Sequence, residues 1–430
     1  MGARRRWEAA WALLAATLMV VLAACGGGGG EDQGASDPNE KITLTVNTFG
    51  NFGYTELYKK YSAAHPNITI KERVSEYNAH HEQLATHLAT RSGAGDIEGV
   101  DEGFIVQFKA QPQNFVNLRE MGADSIKDRW LPWKWNLSLS ADGASQIGLG
   151  TDVGGLAMCY RRDLFEKAGL PTDRDAVAKL WPDWQGYIAA AKRFQAADTG
   201  VAFMDAGTNM YNGIVNQLPV AYYDTSDQLL VDTNPGIRQA WDLTMQAVQA
   251  KASAGLQTFS PQWNAGFVKG SFATVTCPAW MRGYIEQQAP KTAGKWDVAT
   301  IPGGTGNWGG SFLAIPKQTK HPKEAYDLAA FLTSPESQLE VWTKTGNFPS
   351  QPALYDNPAV TGLKPKFFNS APMGELFSSA AKKLQPVYQG PKTGPVRQAM
   401  ENAIRRVEAG RQTPDQAWQQ GVADAKKAAD

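Results

Sequence analysis

Lys41-Ile42-Thr43-Leu44-Thr45-Val46-Asn47-Thr48-Phe49, with the turn Gly50-Asn51-Phe52-Gly53 after it, decides how this chain folds. Ile42, Leu44 and Val46 alternate with Thr43, Thr45 and Asn47, the period-two pattern of a strand. Thr55 then opens an amphipathic helix to about Ala64, stopped by Pro66. Asn67 to Val74 reads as a second strand, and Glu82 to Arg91 as a second helix ending in the breaker run Ser92-Gly93-Ala94-Gly95. Asp96 to Val100 is a third strand, with Asp101-Glu102-Gly103 in the loop at its carboxyl end. This β-α-β-α-β order predicts an α/β fold whose mostly parallel sheet is covered by helices.

Downstream, Ile147 to Tyr160 holds two strand-like pieces around Gly154-Gly155, and Arg162 to Ala168 is a helix that Gly169 stops. Helices are expected at Asp183 to Ala197, Pro235 to Ala254, Pro261 to Lys269, Pro322 to Thr333, Pro335 to Thr343 and Gly394 to Ala409. Strands are expected at Phe272 to Cys277, Trp296 to Thr300 and Ser311 to Ile315. The last helix starts at Thr413-Pro414-Asp415-Gln416, where Thr413 and Gln416 can form a capping box around a proline at the first helical position.

Upstream, Arg4, Arg5 and Arg6 precede an apolar run, Ala9 to Ala24, that ends in Leu22-Ala23-Ala24-Cys25. Sixteen residues suit a signal peptide but are short for a bilayer span, which takes about 18–20. The ending on small residues and a cysteine resembles a lipoprotein signal, so residues 1–24 are expected to be removed and Cys25 acylated. Gly26 to Gly30 and the polar stretch to Glu40 read as a flexible tether of fifteen residues, reaching about 20 Å. The expected location is the extracellular face of the cell membrane.

The 406 residues from Cys25 onward are too many for one core and suit two lobes. Forty-two basic and forty-two acidic residues cancel, which argues against nucleic acid as partner. Cys159 and Cys277 each sit in an apolar strand-like run. Outside the cell such a pair oxidises to a disulfide, the preferred reading, although two buried free thiols fit the same pattern. Twelve of the fourteen tryptophans lie beyond Cys25, several beside turns: Trp130, Trp133, Trp135, Trp263, Trp280 and Trp308. An indole offers a flat apolar face with one polar edge, which suits the C–H surface of a sugar ring, although most tryptophans in any domain simply pack.

Gly304-Thr305-Gly306-Asn307-Trp308-Gly309 matches a dinucleotide fingerprint in letters alone, because it leads into a strand and no acid follows about twenty positions on. No phosphate-binding G-x-x-x-x-G-K-[ST] loop is present, so the chain does not itself hydrolyse ATP. His80, His81 and His87 cluster, with His80 and His87 on one helical face, but they lack a supporting zinc signature, and their polar neighbours suggest a solvated helix rather than a metal site. Asp101, Glu102, Asp152 and Asp205 sit in predicted loops near strand ends, where ligands collect in open α/β sheets. Carboxylates among aromatics also describe a glycoside hydrolase, but no local catalytic signature accompanies them. No cofactor is expected.

Several stretches in order resemble the extracellular solute-binding proteins of sugar-uptake ABC systems, the group that includes maltodextrin-binding protein. They are Gly154 to Tyr160 with Asp163 to Pro171, Gly270 to Met281, Ser311 to Lys317 with Pro322 to Glu336, and Gly410 to Ala417. Thr151 to Gly155, Trp263 to Phe267 and Asn307 to Ser311 further resemble actinobacterial lipoproteins for β-linked oligosaccharides such as cellobiose and cellotriose. One departure is Pro182-Asp183-Trp184-Gln185-Gly186, where the group's threonine cap and acid are missing.

The resemblance implies a two-lobed periplasmic-binding-protein-like fold of class II, each lobe a mostly parallel sheet flanked by helices, joined by three hinge crossovers. Lobe 1 would be 41–150 and 302–346, and lobe 2 would be 151–301 and 347–430. It also implies a monomeric, non-enzymatic ABC importer component. Such a protein carries an oligosaccharide to permease subunits served by a separate ATPase, and a lipid anchor holds it to the membrane. The contacts implied are Asn51, Phe52, Asp101 and Glu102 from lobe 1, Asp152 and Trp308 from the hinge, and Asp205, Asn209, Tyr211 and Trp280 from lobe 2. Trp280 would be the stacking platform. The alternatives from other classes are a secreted glycoside hydrolase and a metal-capture lipoprotein.

Overall fold

Two sheets organise the chain, and their strand directions follow from where the chain passes between them. The computed structural model describes residues 40–430, and Lys41 to Asp430 form one unit. The signal peptide, Cys25 and the tether lie outside the described residues. The first sheet contains β1 (Ile42–Phe49), β2 (Ile68–Ser75), β3 (Ile97–Asp101), β4 (Gly148–Gly150) and β10 (Ser311–Ala314), in the order β2-β1-β3-β10-β4. The second contains β6 (Leu156–Arg161), β7 (Ala202–Met204), β8 (Phe272–Pro278) and β9 (Trp296–Ala299), in the order β7-β8-β6-β9. Between them β5 (Asp152–Val153) pairs antiparallel with β11 (Phe348–Pro349).

Among the described residues the chain passes three times from one half to the other. The passages run from β4 through β5 to β6, from β9 to β10, and from the helix Pro335–Thr345 to β11. A strand leading away from a crossing must oppose its neighbours that lead toward it. Accordingly β10 is antiparallel to β3 and β4, and β6 is antiparallel to β8 and β9. β1 pairs parallel with β2 and β3, as the alternation predicts, and β7 pairs parallel with β8. The expectation of mostly parallel sheets is thereby corrected in the second half, where β6 starts at the crossing and its two neighbours run back to it.

Each half has its own buried core. Leu44, Val46, Ile97 and Leu313 anchor the first, while Tyr160, Phe203, Trp241 and Met400 belong to the second. Gly154 explains how tightly the passages pack, since a Cβ there would lie 1.8 Å from the Trp308 carbonyl oxygen. That approach lets Trp308 N–H donate to the Gly154 carbonyl at 2.8 Å.

Local differences from the sequence reading have physical causes. The second helix begins at Tyr77 rather than Glu82, because the Glu76 carboxylate accepts from Asn78 and Ala79 N–H and caps it. His80 and His81 on that helix are buried rather than solvated; each packs against Phe49, and no metal-binding cluster exists among the described residues. Asp101 ends β3, and Glu102 opens the helix Glu102–Phe108 where a loop was expected, with Asp101 accepting from Gly103 N–H at 2.8 Å. Asp183 replaces the missing threonine cap, accepting from Gly186 N–H at 2.8 Å at the start of Trp184–Ala196. The capping box of Thr413 and Gln416 forms as expected on the helix Pro414–Ala429.

Cys159 on β6 and Cys277 on β8 form a disulfide, their Cα atoms 5.4 Å apart, closing a loop with a sequence separation of 118. A loop of that length restricts the unfolded chain by about 5 kcal/mol. Cys159→Ala combined with Cys277→Ala should therefore lower the urea-unfolding free energy by about that amount. Equal stability of wild type with and without reductant would contradict the bridge's role.

Candidate functional site

A cleft of about 590 Å³ opens where the strands of both halves end, in the range usual for small-ligand sites. The turn after β1 contributes Asn51 and Phe52, the end of β3 contributes Asp101, and the crossings contribute Asp152 and Trp308. The end of β8 leads straight into Trp280, and the second half adds Asn209, Phe259, Tyr284 and Arg397.

Aromatic faces dominate the floor. Phe259 lies 6.0 Å from both Trp280 and Tyr77, ring centre to ring centre, and 5.5 Å from Tyr284. Its backbone is left-handed, with φ +66°, an arrangement costly for a bulky residue and concentrated at functional sites. Trp280 is half-buried and donates its Nε1–H to the Trp308 carbonyl at 3.2 Å, so strand end and crossing hold each other.

The structure brings together seven of the ten predicted ligand contacts: Asn51, Phe52, Asp101, Asp152, Asn209, Trp280 and Trp308 line the cleft. Three stand elsewhere. Tyr211 is wholly buried in the second core with its hydroxyl beside that of Tyr222, so it packs rather than contacts a ligand. Asp205 sits one layer below the cleft, accepting from Trp263 Nε1–H at 2.7 Å and from the Asn209 amide. It therefore anchors Asn209 and Trp263 instead of meeting the ligand. Glu102 is turned into the crossings, where Lys134 Nζ approaches at 3.1 Å and Asn307 Nδ2 donates at 2.9 Å. The same Asn307 accepts from Gly154 N–H at 2.8 Å, so Glu102 fixes the hinge.

Burial governs the charges here. It pushes the Asp205 carboxyl up to about 7 against the opposing pull of Trp263 and Asn209. It pushes Glu102 up to about 7 as well, with Lys134 pulling the other way. Asp152 is raised by burial and partly restored by Lys134; it accepts from Ser311 N–H at 2.9 Å and from the Thr151 hydroxyl at 2.6 Å.

Tyr77, Phe259, Tyr284 and Arg397 escaped the sequence reading. Arg397 lies on the amphipathic helix Thr393–Glu408, where its charge looks like one of a solvated face. Instead its Nη2 donates to the Tyr77 hydroxyl at 2.9 Å, and that hydroxyl donates to Asp101 Oδ1 at 2.9 Å. Burial opposes the Arg397 charge, but Tyr77, Glu401 and Asp101 outweigh it and raise its pKa. This chain of contacts ties a helix of the second half to β3 of the first.

A family model described as "Bacterial extracellular solute-binding protein" matches residues 56–368. Among solved structures, an "Extracellular solute-binding protein family 1" is 43% identical, with a TM-score of 0.77, covering 90% of this chain and 100% of that one. The binding protein associated with an ABC transporter of B. animalis subsp. lactis, solved with β-1,6-galactobiose, shares the fold at 20% identity. Its TM-score is 0.79, over 91% of this chain and 97% of that one. The arabinooligosaccharide-binding protein of Bacillus subtilis is 24% identical over 377 residues, 83% of this chain and 84% of that protein.

Two measurements follow from the geometry. Because the folded Asp205 carboxyl titrates near 7 and an unfolded one near 3.8, its protonated form favours the folded state. Its stabilisation is complete below about pH 4 and is lost as pH rises toward 7, by a few kcal/mol. Asp205→Asn should flatten that part of the stability–pH curve, and an unaltered curve would refute the assignment. Tyr77→Phe removes the hydroxyl between Asp101 and Arg397 and should enlarge the radius of gyration of the ligand-free protein in solution scattering; an unchanged radius would deny it a clasping role.

Proposed function

The chain belongs to the bacterial extracellular solute-binding proteins, and on that premise we propose that it is the sugar-binding component of an ABC importer. It takes an oligosaccharide into the cleft, closes its two lobes on it and passes it to permease subunits powered by a separate ATPase. The observation that carries this reading is the composition of the cleft, in which Trp280, Phe259 and Tyr284 offer apolar faces beside the polar Asn51, Asn209 and Asp152. Rings of carbons bearing hydroxyls need both surfaces at once. The names of the Bacillus subtilis relative and of the galactobiose complex support a carbohydrate ligand, and both name carriers rather than hydrolases. The acids of the cleft are also committed to structural partners, as Asp101 is to Tyr77 and Gly103.

Within this reading the ligand is β-linked, a cellobiose or cellotriose, as the stretches around Asp152, Trp263 and Trp308 suggest. Lobe 1 comprises 41–150 and 302–346, and lobe 2 comprises 151–301 and 347–430. Cys25 carries the lipid that holds a monomer at the outer face of the membrane. A ligand touching both lobes favours closure by the contacts it makes only in the closed form.

A thermal-shift panel of β-1,4-, β-1,3-, α-1,4- and amino-sugar oligosaccharides tests the reading. Stabilisation by a β-1,4 glucan, with the sugar recovered intact, is expected. Trp280→Ala should abolish the accompanying fluorescence quenching and weaken binding by about tenfold or more while the fold persists. Liberation of reducing ends over time would replace the carrier with a hydrolase, and no stabilisation by any glycan would remove the sugar.

A further inference from the structure

His80 and His81, expected on a solvated helix, are buried and both tie the helix Tyr77–Thr90 to β3. They do so with opposite chemistry. His80 Nε2 lies 2.7 Å from the Gly99 carbonyl oxygen, so it donates. His81 Nε2 lies 3.0 Å from the Asp101 main-chain nitrogen, whose N–H donates to it, so it accepts. His81 Nδ1 lies 2.7 Å from the Tyr77 carbonyl oxygen and must therefore carry the proton. One neutral tautomer satisfies both partners of His81. An imidazolium carries a hydrogen on each nitrogen and would turn one of them against the Asp101 N–H. His80 meets no such conflict in its bond to Gly99, because a carbonyl accepts from either form.

The His81 ring is held in place by packing. Phe104 stacks on it at 4.0 Å with the planes 10° apart, and Phe49 approaches at 4.8 Å. Its two polar partners, Tyr77 and Asp101, are the first-half members of the contact chain that reaches Arg397 across the cleft. The titratable and charged groups around it are His80 and Tyr77 on its own helix, Asp101 on β3 and Arg397 on the helix Thr393–Glu408. Glu98 of β3 lies beside His80 at 3.8 Å, and Glu102 faces Lys134 instead. Burial above all, with His80 and Arg397 adding to it against the Tyr77 carbonyl, pushes the His81 imidazole well below the ordinary histidine range.

We infer that His81 is a positioning residue whose neutral imidazole braces the Tyr77–Asp101 side of the clasp, so that acidification releases Arg397 and opens the cleft. When the halves part, Arg397 withdraws and its repulsion of a charged His81 goes with it. The open form therefore takes up the proton more readily than the closed one, and by linkage falling pH favours opening. Which ligand fills the cleft does not enter.

Solution scattering of the ligand-free protein from about pH 8 to about pH 4 reads closure, and imidazole nitrogen NMR reads the tautomer. Expected at the upper end are a protonated Nδ1 and a bare Nε2 on His81, followed by a rising radius of gyration as pH falls. His81→Gln keeps an acceptor for the Asp101 N–H without a titrating group, so its radius should match wild type at the upper end and lose the acid response. His81→Phe keeps the ring and removes the acceptor, so its radius should be enlarged from the start. His80→Gln can still donate to Gly99 and should respond to acid as wild type does. A different tautomer, a wild-type radius indifferent to pH, or an acid response retained by His81→Gln would overturn the inference. Should the His81 variants fail to melt cooperatively, the wild-type tautomer and radius decide it.

Discussion

Everything in this fold is arranged around the meeting of three chain passages between two sheets. The backbone of Gly154 lies so close to Trp308 that no side chain fits, and the two residues exchange a main-chain hydrogen bond. β5 and β11 bind a second pair of passages to each other. Strand direction, the position of the cleft and the identity of its back wall all follow from this one packed junction. Strands that run toward it deliver Asp101 and Trp280 at their ends, where an open α/β sheet exposes backbone and side chains to a ligand.

A second theme is that acids near the cleft serve it indirectly. Asp205 and Glu102 are buried, partnered and shifted toward neutrality; Asp205 holds Asn209, which lines the cleft, and Glu102 holds Asn307 at the crossings. Asp205 sets the amide of Asn209 and the indole of Trp263, while Glu102 sets Asn307 and through it the Gly154 main chain. Lys134, fully buried, supplies the balancing charge from the helix Pro132–Leu137 and stacks over Phe312 at 4.2 Å. Costly buried charges thus sit one layer down, while amides and aromatic rings line the cleft together with Asp101 and Asp152.

How much of this could be read beforehand depended on the range of the determining interaction. Ile42 to Phe49 and Thr55 to Ala64 were legible because alternation and amphipathic spacing are local; Asp101 and Trp280 follow predicted strands, and Trp308 was picked out by the family resemblance of its stretch. Tyr211 and Asn209 stand two residues apart on one helical segment, Gly207–Val215, that the sequence reading did not contain. Which of them faces the cleft and which the core depends on that helix's orientation against β8. Arg397 was illegible for a similar reason, since its partner Tyr77 is 320 positions away. The antiparallel pairing of β6 with β8 and β9 likewise depended on where the chain returns from the other half, which no local pattern records.

The disulfide joins β6, which leaves the junction at Leu156, to β8, which delivers Trp280. Both cysteines belong to the same sheet, so the crosslink stiffens one jaw without spanning the gap to the other. The strand that ends beside Trp280 is therefore tied covalently to the strand that starts at the junction, which limits sliding between them. Oxidation braces one half and places no covalent tie across the cleft.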